Sequence, residues 1–450
     1  MEQTEYEKSD VAKGEEAILR EWKEKDIFQK TLAKDSPEGE FVFYEGPPTA
    51  NGRPGIHHLI SRAFKDVIPR YKTMCGFHVR RKAGWDTHGL PVEIEVEKQL
   101  GLTSKKQIEE YGIDRFNQKC KESVWKYIDE WQEFTQRIGY WVDLNDAYIP
   151  YTSSYMESLW NIVAHVHKRE LLYKDYKVLP WCPRCGTALS SHELAQGYED
   201  VKDISVYVKF ALVGEENTYL LAWTTTPWTL LGNVGLAIGE KISYVKVSHG
   251  GEFLWLGRDR LSVLGEGYEV VEECLGEALI GLTYEPLFPF LNTLISGPEK
   301  EKMQNAYKVY SADFVTTTDG TGIVHTAVMY GQEDFELGNK VGLPKWHLVD
   351  ETGHFVQGTG LYEGLFVRDE STAVEVIKDL AGRNLLFKKE KFEHTYPHCW
   401  RCHTALIYYA RDSWYIRMSE LRDELVKENK KFIGYQNILK KDVLVNGFVR

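Results

Sequence analysis

The sequence predicts an α/β fold with a second, β-barrel-like domain inserted into it. Three observations lead there. A short apolar stretch, Phe41-Val42-Phe43-Tyr44, runs into a breaker-rich loop and then a helical pattern. The segment 204–345 consists instead of short β-rich runs separated by glycine turns. Two Cys-x-x-Cys pairs, Cys182-Pro-Arg-Cys185 and Cys399-Trp-Arg-Cys402, flank that segment more than two hundred residues apart. Each pair is half of a tetrahedral four-thiolate site. If one Zn2+ takes both, the intervening chain leaves and re-enters at a single neck. Two separate sites, or none, are the alternatives.

The elements follow in order. Residues 10–32 read as one amphipathic helix, with Ala17, Ile18, Leu19 and Trp22 on a helical spacing. Phe41 to Tyr44 reads as a strand, and Glu45 to Gly52 as the loop that ends it. A helix is expected from near His57 towards Arg70. Strand, glycine-rich loop and helix open a nucleotide-binding α/β unit, in which phosphates meet a helix N-terminus. Residues 104–170 look helical. Val206 to Phe210, Tyr219 to Trp223 and Tyr244 to Val247 read as strands. Helical patterning returns at 370–383.

Bulk properties narrow the partners. A chain of 450 residues exceeds one core, so two or three domains are expected. The net charge of −12 argues against nucleic-acid binding by bulk electrostatics, while Arg80-Arg81-Lys82 leaves room for a local basic groove. The absence of a signal peptide or membrane-length apolar run predicts no membrane partner. The scattered Cys75, Cys120 and Cys274 fit a reducing cytoplasm better than a disulfide framework.

Two segments carry candidate chemistry. Pro54-Gly55-Ile56-His57-His58 places two histidines at a helix N-terminus, where they would bind phosphates or simply cap and pack. Gly84-Trp85-Asp86-Thr87-His88-Gly89 places Asp86 among turn residues. It would hold a substrate ammonium group or be an ordinary loop aspartate.

Together, Tyr44-Glu-Gly-Pro-Pro-Thr-Ala-Asn-Gly52 and Gly84-Trp-Asp-Thr-His-Gly-Leu-Pro-Val-Glu93 closely resemble the isoleucyl-tRNA synthetases, a family of class I aminoacyl-tRNA synthetases. Valyl enzymes carry an Asp-His-Ala-Gly type sequence in the second segment, and leucyl enzymes carry Ala-Phe in place of Thr87-His88. The likeness continues through Trp223-Thr-Thr-Thr-Pro-Trp-Thr-Leu230, Gly320-Thr-Gly-Ile-Val-His-Thr326 and Tyr396-Pro-His-Cys-Trp-Arg-Cys402, covering about residues 10 to 433. It implies the first half of a Rossmann-type catalytic domain with an N-terminal helix over 1–181. An inserted editing domain with a zinc-stapled neck would span 182–402, and a return to the catalytic domain 403–450. The implied reaction makes isoleucyl-adenylate from isoleucine and ATP with Mg2+, and transfers isoleucine to tRNA(Ile) in a cytoplasmic monomer. By the same resemblance Gly46 and Pro47 line the isoleucine pocket, Asp86 holds the α-ammonium group, and Trp414 lies against the aliphatic side chain.

One missing methylene is worth only about 1–3 kcal/mol, too little to reject valine by binding alone. The resemblance accordingly implies a second site that hydrolyses mischarged valyl-tRNA(Ile). Thr224, Thr225, Thr226 and Thr229 match its threonine-rich wall. His325 matches the histidine near the tRNA 3′ end, and Asp334 the carboxylate that binds the amino group. Read alone, Thr224 to Thr226 would be a β-strand run and His325 a strand histidine.

The sequence departs from the family twice. The signature His-x-Gly-His falls on Gly55-Ile56-His57-His58, with its first and third positions exchanged. The expectation is that the site still works, since His58 is kept and a second imidazole stays nearby. After Ile433 the sequence stops resembling the family, as a shifted reading frame would produce. The second catalytic half and the anticodon-binding domain are then missing, and the chain is not expected to complete isoleucine activation by itself. Alternatives are a product that retains only editing deacylation, or a non-catalytic zinc-binding fragment.

Overall fold

The computed structural model describes residues 8–44 and 46–430. The end expected to diverge after Ile433 lies outside the described residues. The chain divides into two compact units, 1–169 and 170–450.

In the first unit, Ser9 caps the helix Asp10–Glu24, its hydroxyl accepting from the Ala12 amide. The single helix expected over 10–32 is broken, because Asp26 takes a left-handed φ of 49° before a second helix, Ile27–Leu32. Phe41 to Tyr44 does not form a strand. Parallel bridges hold the chain only on either side, at Glu40 with His78 and Thr49 with Asp86. Val42 and Tyr44 are exposed, so no packed face rewards β-structure between those points. The helix expected near His57 spans Ile56–Met74. Residues 104–170 hold three helices, Lys105–Tyr111, Ile113–Arg137 and Ser153–Lys168. They also hold an unanticipated strand, Asp143–Tyr148, parallel to Lys82–Gly84.

Ala50, Trp85, Val92, Val124, Ile128 and Trp131 form the core of this unit. Trp131 also donates its indole N–H to Gly52 O at 2.8 Å, fastening the breaker-rich loop to the helix Ile113–Arg137. That anchor gives an otherwise irregular loop a fixed course.

The second unit opens and returns on one antiparallel ladder. Strand Leu172–Cys182 pairs with Ile407–Ile416, from Leu172 opposite Ile416 to Trp181 opposite Ile407. The chain between them builds two sheets. One has six strands in the order Tyr268–Leu275, Ser243–His249, Glu252–Gly257, Thr218–Thr224, Tyr198–Ala211 and Leu386–Pro397. The other has three, Lys308–Ser311, Gly235–Ile238 and Ile323–Thr326. The barrel-like expectation thus takes the form of an open sheet and a smaller one sharing one apolar core, with Val206, Phe210, Leu220, Leu236 and Ile323 fully buried. Helix Glu370–Gly382 buries Val376, Ile377 and Leu380 against the same core. Among the described residues no helix is long and apolar enough to cross a membrane.

One buried ion pair tests the six-stranded sheet. The Lys209 ammonium, almost wholly buried, meets both carboxylate oxygens of Glu252 at 2.9 and 2.7 Å. Removing one partner leaves a buried charge uncompensated. Glu252→Gln is expected to lower unfolding free energy by about 2 kcal/mol, since Glu252 keeps some solvent. Urea unfolding of the variant measures it, and an unchanged midpoint would refute it.

Candidate functional site

The threonine run and the two acid–base candidates converge. Strand Thr218–Thr224 ends at the cavity edge, and Thr225 and Thr226 lead into the 3-10 helix Pro227–Gly232 that carries Thr229. Strand Ile323–Thr326 brings His325, and helix Gln332–Val341 brings Asp334. All six side chains line one cavity of about 350 Å³, together with Trp223, Phe314, Asp319 and Tyr330.

Fixed acceptors determine how the hydroxyls point. The Thr229 hydroxyl lies 2.8 Å from the Thr226 carbonyl, which can only accept, so Thr229 donates there. The Thr229 oxygen then accepts from His325 Nε2 at 2.8 Å and from the Thr226 hydroxyl at 3.2 Å. Thr224 in turn lies 3.2 Å from Thr226 and accepts from the Thr226 amide. Thr225 takes no part in this chain, so its hydroxyl is free to meet a ligand. Burial pushes the His325 imidazole down to about 4, which keeps it neutral.

Asp334 stands in the first turn of its helix, and its carboxylate accepts from the Ala327 amide at 2.8 Å. Although the residue as a whole is half-buried, its carboxylate end turns inward, and burial raises it to about 6. A carboxylate held above its ordinary range without a counter-charge suits an ammonium ligand, whose arrival would relieve the cost.

The first unit places the other candidates around the breaker-rich loop. Gly46, Gly52, His58, Arg62, Lys65 and Trp131 help line a cavity of about 370 Å³. Gly55 caps the helix Ile56–Met74, and its amide donates to His58 Nδ1 at 2.9 Å. His58 is held below the ordinary imidazole range by burial, and by His57, whose ring centre lies 3.8 Å away. The exposed His57 ring folds back over Gly55, with Cε1 2.9 Å from where a Cβ at that position would stand. The exchanged signature is therefore sterically consistent, since the small residue at 55 makes room for the imidazole at 57. Asp86 accepts from the Thr49 hydroxyl at 3.1 Å. Pro47 faces a separate cavity of about 680 Å³ with Gly84 and Tyr148. Trp414 belongs to the second unit, opposite Lys174 on the neck ladder, and the residue is 63% exposed.

The four cysteines meet at the tip of that ladder, with all Sγ atoms within 4.8 Å of one another and Cys182 3.5 Å from Cys402. The two pairs form matching turns. Gly186 at φ 62° donates to Cys182 O, and His403 at φ 58° donates to Cys399 O. Four sulfurs about 2.3 Å from one tetrahedral ion would lie about 3.8 Å apart, so the donor set fits a zinc-like metal. Cys75, Cys120 and Cys274 stand apart as free thiols.

A sequence model of the family described as tRNA synthetases class I (I, L, M and V) matches residues 17–445. The chain belongs to this family. Class I relatives named isoleucine–tRNA ligase include those of Clostridium acetobutylicum, 50% identical over 96% of this chain, and Clostridium novyi, 50% identical over 93%. The Clostridium tetani relative is 47% identical over 96%. This chain spans 41%, 39% and 41% of their respective lengths. The solved ternary complex of Agrobacterium radiobacter K84 agnB2 LeuRS with tRNA and LeuAMS covers 88% of this chain and 48% of its own, with a TM-score of 0.34 and 16% identity. A likeness that slight supports no argument.

In this class I chain, sequence reasoning missed residues that sit behind the motifs. Asn233, almost fully buried, follows the 3-10 helix and contacts His325 Nδ1 at 3.4 Å. Arg62 is buried against the rings of Trp131, Phe134 and Tyr140 beside His58. The one available signal was position. Asn233 stands four residues past Thr229, and Arg62 lies one helical turn beyond His58.

Proposed function

We propose that this chain carries two chemistries of an isoleucine–tRNA ligase. The observation that carries this reading is the convergence of Thr224, Thr225, Thr226, Thr229, His325 and Asp334 on one cavity of the second unit. The relatives' names supply the amino acid. The second unit, with its inserted segment 182–402, hydrolyses valine wrongly esterified to tRNA(Ile). The first half of the synthetic site, on the first unit, binds isoleucine and ATP with Mg2+.

In hydrolysis, Asp334 holds the ammonium group of the esterified valine, and Phe314, Ile323 and Val324 offer walls for a small aliphatic side chain. The neutral His325 is committed to Thr229 and orients the threonine chain. Thr225 holds a water against the ester carbonyl. The water oxygen bonds to that carbon, the bond to the ribose oxygen breaks, and the proton passes to the ribose. Free valine and intact tRNA leave. On the synthetic side, His58 with Arg62 and Lys65 faces the nucleotide phosphates, while Asp86 and Gly46 place isoleucine. Zn2+, when bound by Cys182, Cys185, Cys399 and Cys402, supplies a structural cross-link. The working form is a cytoplasmic monomer.

The separate core of the second unit also favours a narrower reading, in which this chain performs only the deacylation. The test is common to both. Valyl-tRNA(Ile) incubated with the chain should lose valine well above the uncatalysed rate. Thr225→Ala should slow that loss about tenfold, the worth of one hydrogen bond to the reacting centre. Hydrolysis no faster than without protein would overturn the reading.

A further inference from the structure

Behind the pocket wall lies a buried hydrogen-bond chain that no motif marks. Tyr284, fully buried and packed edge-on against Phe210, places its hydroxyl 2.6 Å from Asn233 Oδ1. Asn233 Nδ2 lies 2.9 Å from Gly235 O and 3.4 Å from His325 Nδ1. His325 Nε2 continues to Thr229.

Only one assignment of protons satisfies every member. Gly235 O can only accept, so the amide nitrogen of Asn233 must face it. Oδ1 is thereby turned to Tyr284, whose hydroxyl must donate. The second N–H of Asn233 points at His325 Nδ1, which must present a lone pair. A neutral imidazole with an accepting Nδ1 carries its proton on Nε2 and donates it to Thr229. Thr229 is then bound to donate to the Thr226 carbonyl, as its 2.8 Å contact requires.

We propose that Tyr284 is a positioning residue for the hydrolytic pocket. Its hydroxyl locks the Asn233 amide, and through it the Nε2–H form of His325, so that the threonine hydroxyls present one fixed pattern to the substrate. This rests on the hydrolytic reading of the pocket, but its physical core is testable without it. Without the Tyr284 hydroxyl, Asn233 Oδ1 is buried and unpaired. Gly235 O then holds the amide alone, so Asn233 can tilt its second N–H away from His325 Nδ1, and the tautomer with its proton on Nδ1 is no longer excluded.

The experiment uses the full chain, labelled with nitrogen-15 at histidine, and compares the parent with Tyr284→Phe and Tyr307→Phe. Tyr307 is the control. Its ring lies 6.1 Å from that of Tyr284, but its hydroxyl contacts Asn292, outside the chain described above. His325→Asn identifies the His325 signals. In the parent, His325 should show a single Nε2–H form. Tyr284→Phe should lower the urea midpoint modestly, as one unpaired buried acceptor requires, show both tautomers in the folded chain, and lower kcat for valyl-tRNA(Ile) hydrolysis about tenfold with KM unchanged. Tyr307→Phe should change neither. A single Nε2–H form surviving in Tyr284→Phe would overturn the proposal, as would a mixed tautomer with unchanged kcat or an equal effect of Tyr307→Phe. Should the parent hydrolyse nothing, the hydrolytic reading falls, and the positioning role with it. The tautomers of parent and variant would still decide whether the lock itself exists.

Discussion

Purified chain is expected to hold one zinc ion, and stripping it should remove about 5 kcal/mol of stability from the second unit. The size follows from topology. The site ties Cys182 to Cys402 across 220 residues. Closing a loop of that length restricts the unfolded chain by about 5 kcal/mol when treated as a cross-link. That is a large part of a domain's total stability, which is typically about 5–15 kcal/mol. The loss should be local in structure while global in stability. Cys182, Leu189, Cys399 and Leu406 form a small cluster of their own, separate from the core around Val206, Phe210 and Leu236. Chelation should therefore expose the amides of 182–190 and 397–406 to hydrogen exchange first, fraying the neck ladder from Trp181 and Ile407. The sheet core should stay protected until the global transition, which should occur at lower urea. Cys399→Ser should bind no zinc and behave like the stripped chain. A metal-free chain with the same urea midpoint as the zinc-loaded one would show that the thiolates tie nothing.

The sequence exposes elements whose side chains and backbone agree, and hides those that depend on distant partners. Apart from Lys209 and Lys246, the residues of Val206 to Phe210 and Tyr244 to Val247 are β-branched or aromatic, and both runs lie within strands. Helix Glu370–Gly382 follows its apolar spacing. Asp143–Tyr148 is polar and short, and becomes a strand only because Lys82–Gly84 lies beside it. Phe41 to Tyr44 shows the converse, since local preference is strong there but Val42 and Tyr44 stay exposed. The neck is least visible of all. Strand Leu172–Cys182 carries Lys174, Asp175 and Lys177, and its partner lies more than two hundred residues away. Only the cysteines announce it.

For the site, residue type alone was weak evidence. Thr224 to Thr226 read as a strand run, and resemblance rather than spacing singled them out. The structure adds what resemblance does not carry, namely the direction of each hydrogen bond. That direction is set by Gly235 O and Thr226 O, two backbone atoms with no signature in sequence.

Asp334→Asn is expected to make the chain more stable at neutral pH and, on the proposed reading of the pocket, to abolish most of the hydrolysis of valyl-tRNA(Ile). The Asp334 carboxyl is raised from its ordinary value to about 6 by burial. The native state therefore holds that proton more tightly than the unfolded chain does. Stability must fall as pH rises from about 3.8 to about 6, and the deficit persists above. Its full size is about 3 kcal/mol, or about 2 once solvent at the half-open side is allowed for. Asparagine keeps an acceptor for the Ala327 amide and carries no charge, so it should recover that amount at pH 8 and nothing at pH 3. The same neutrality should cost the ammonium contact about 2–5 kcal/mol, a loss of about thirtyfold or more in kcat/KM. His325 works with the opposite sign. Its imidazole is lowered from 6.5 to about 4, so its contribution is whole above pH 6.5 and is lost as pH falls towards 4. In the parent, acidification relieves Asp334 while it strains His325, and the two partly cancel. In Asp334→Asn the relief is gone, so stability should fall more steeply between pH 6.5 and 4 than in the parent. Urea unfolding of both chains across that range, with deacylation measured at pH 8, decides it. A variant no more stable than the parent at pH 8 would mean that the carboxylate already has a compensating partner in the empty pocket.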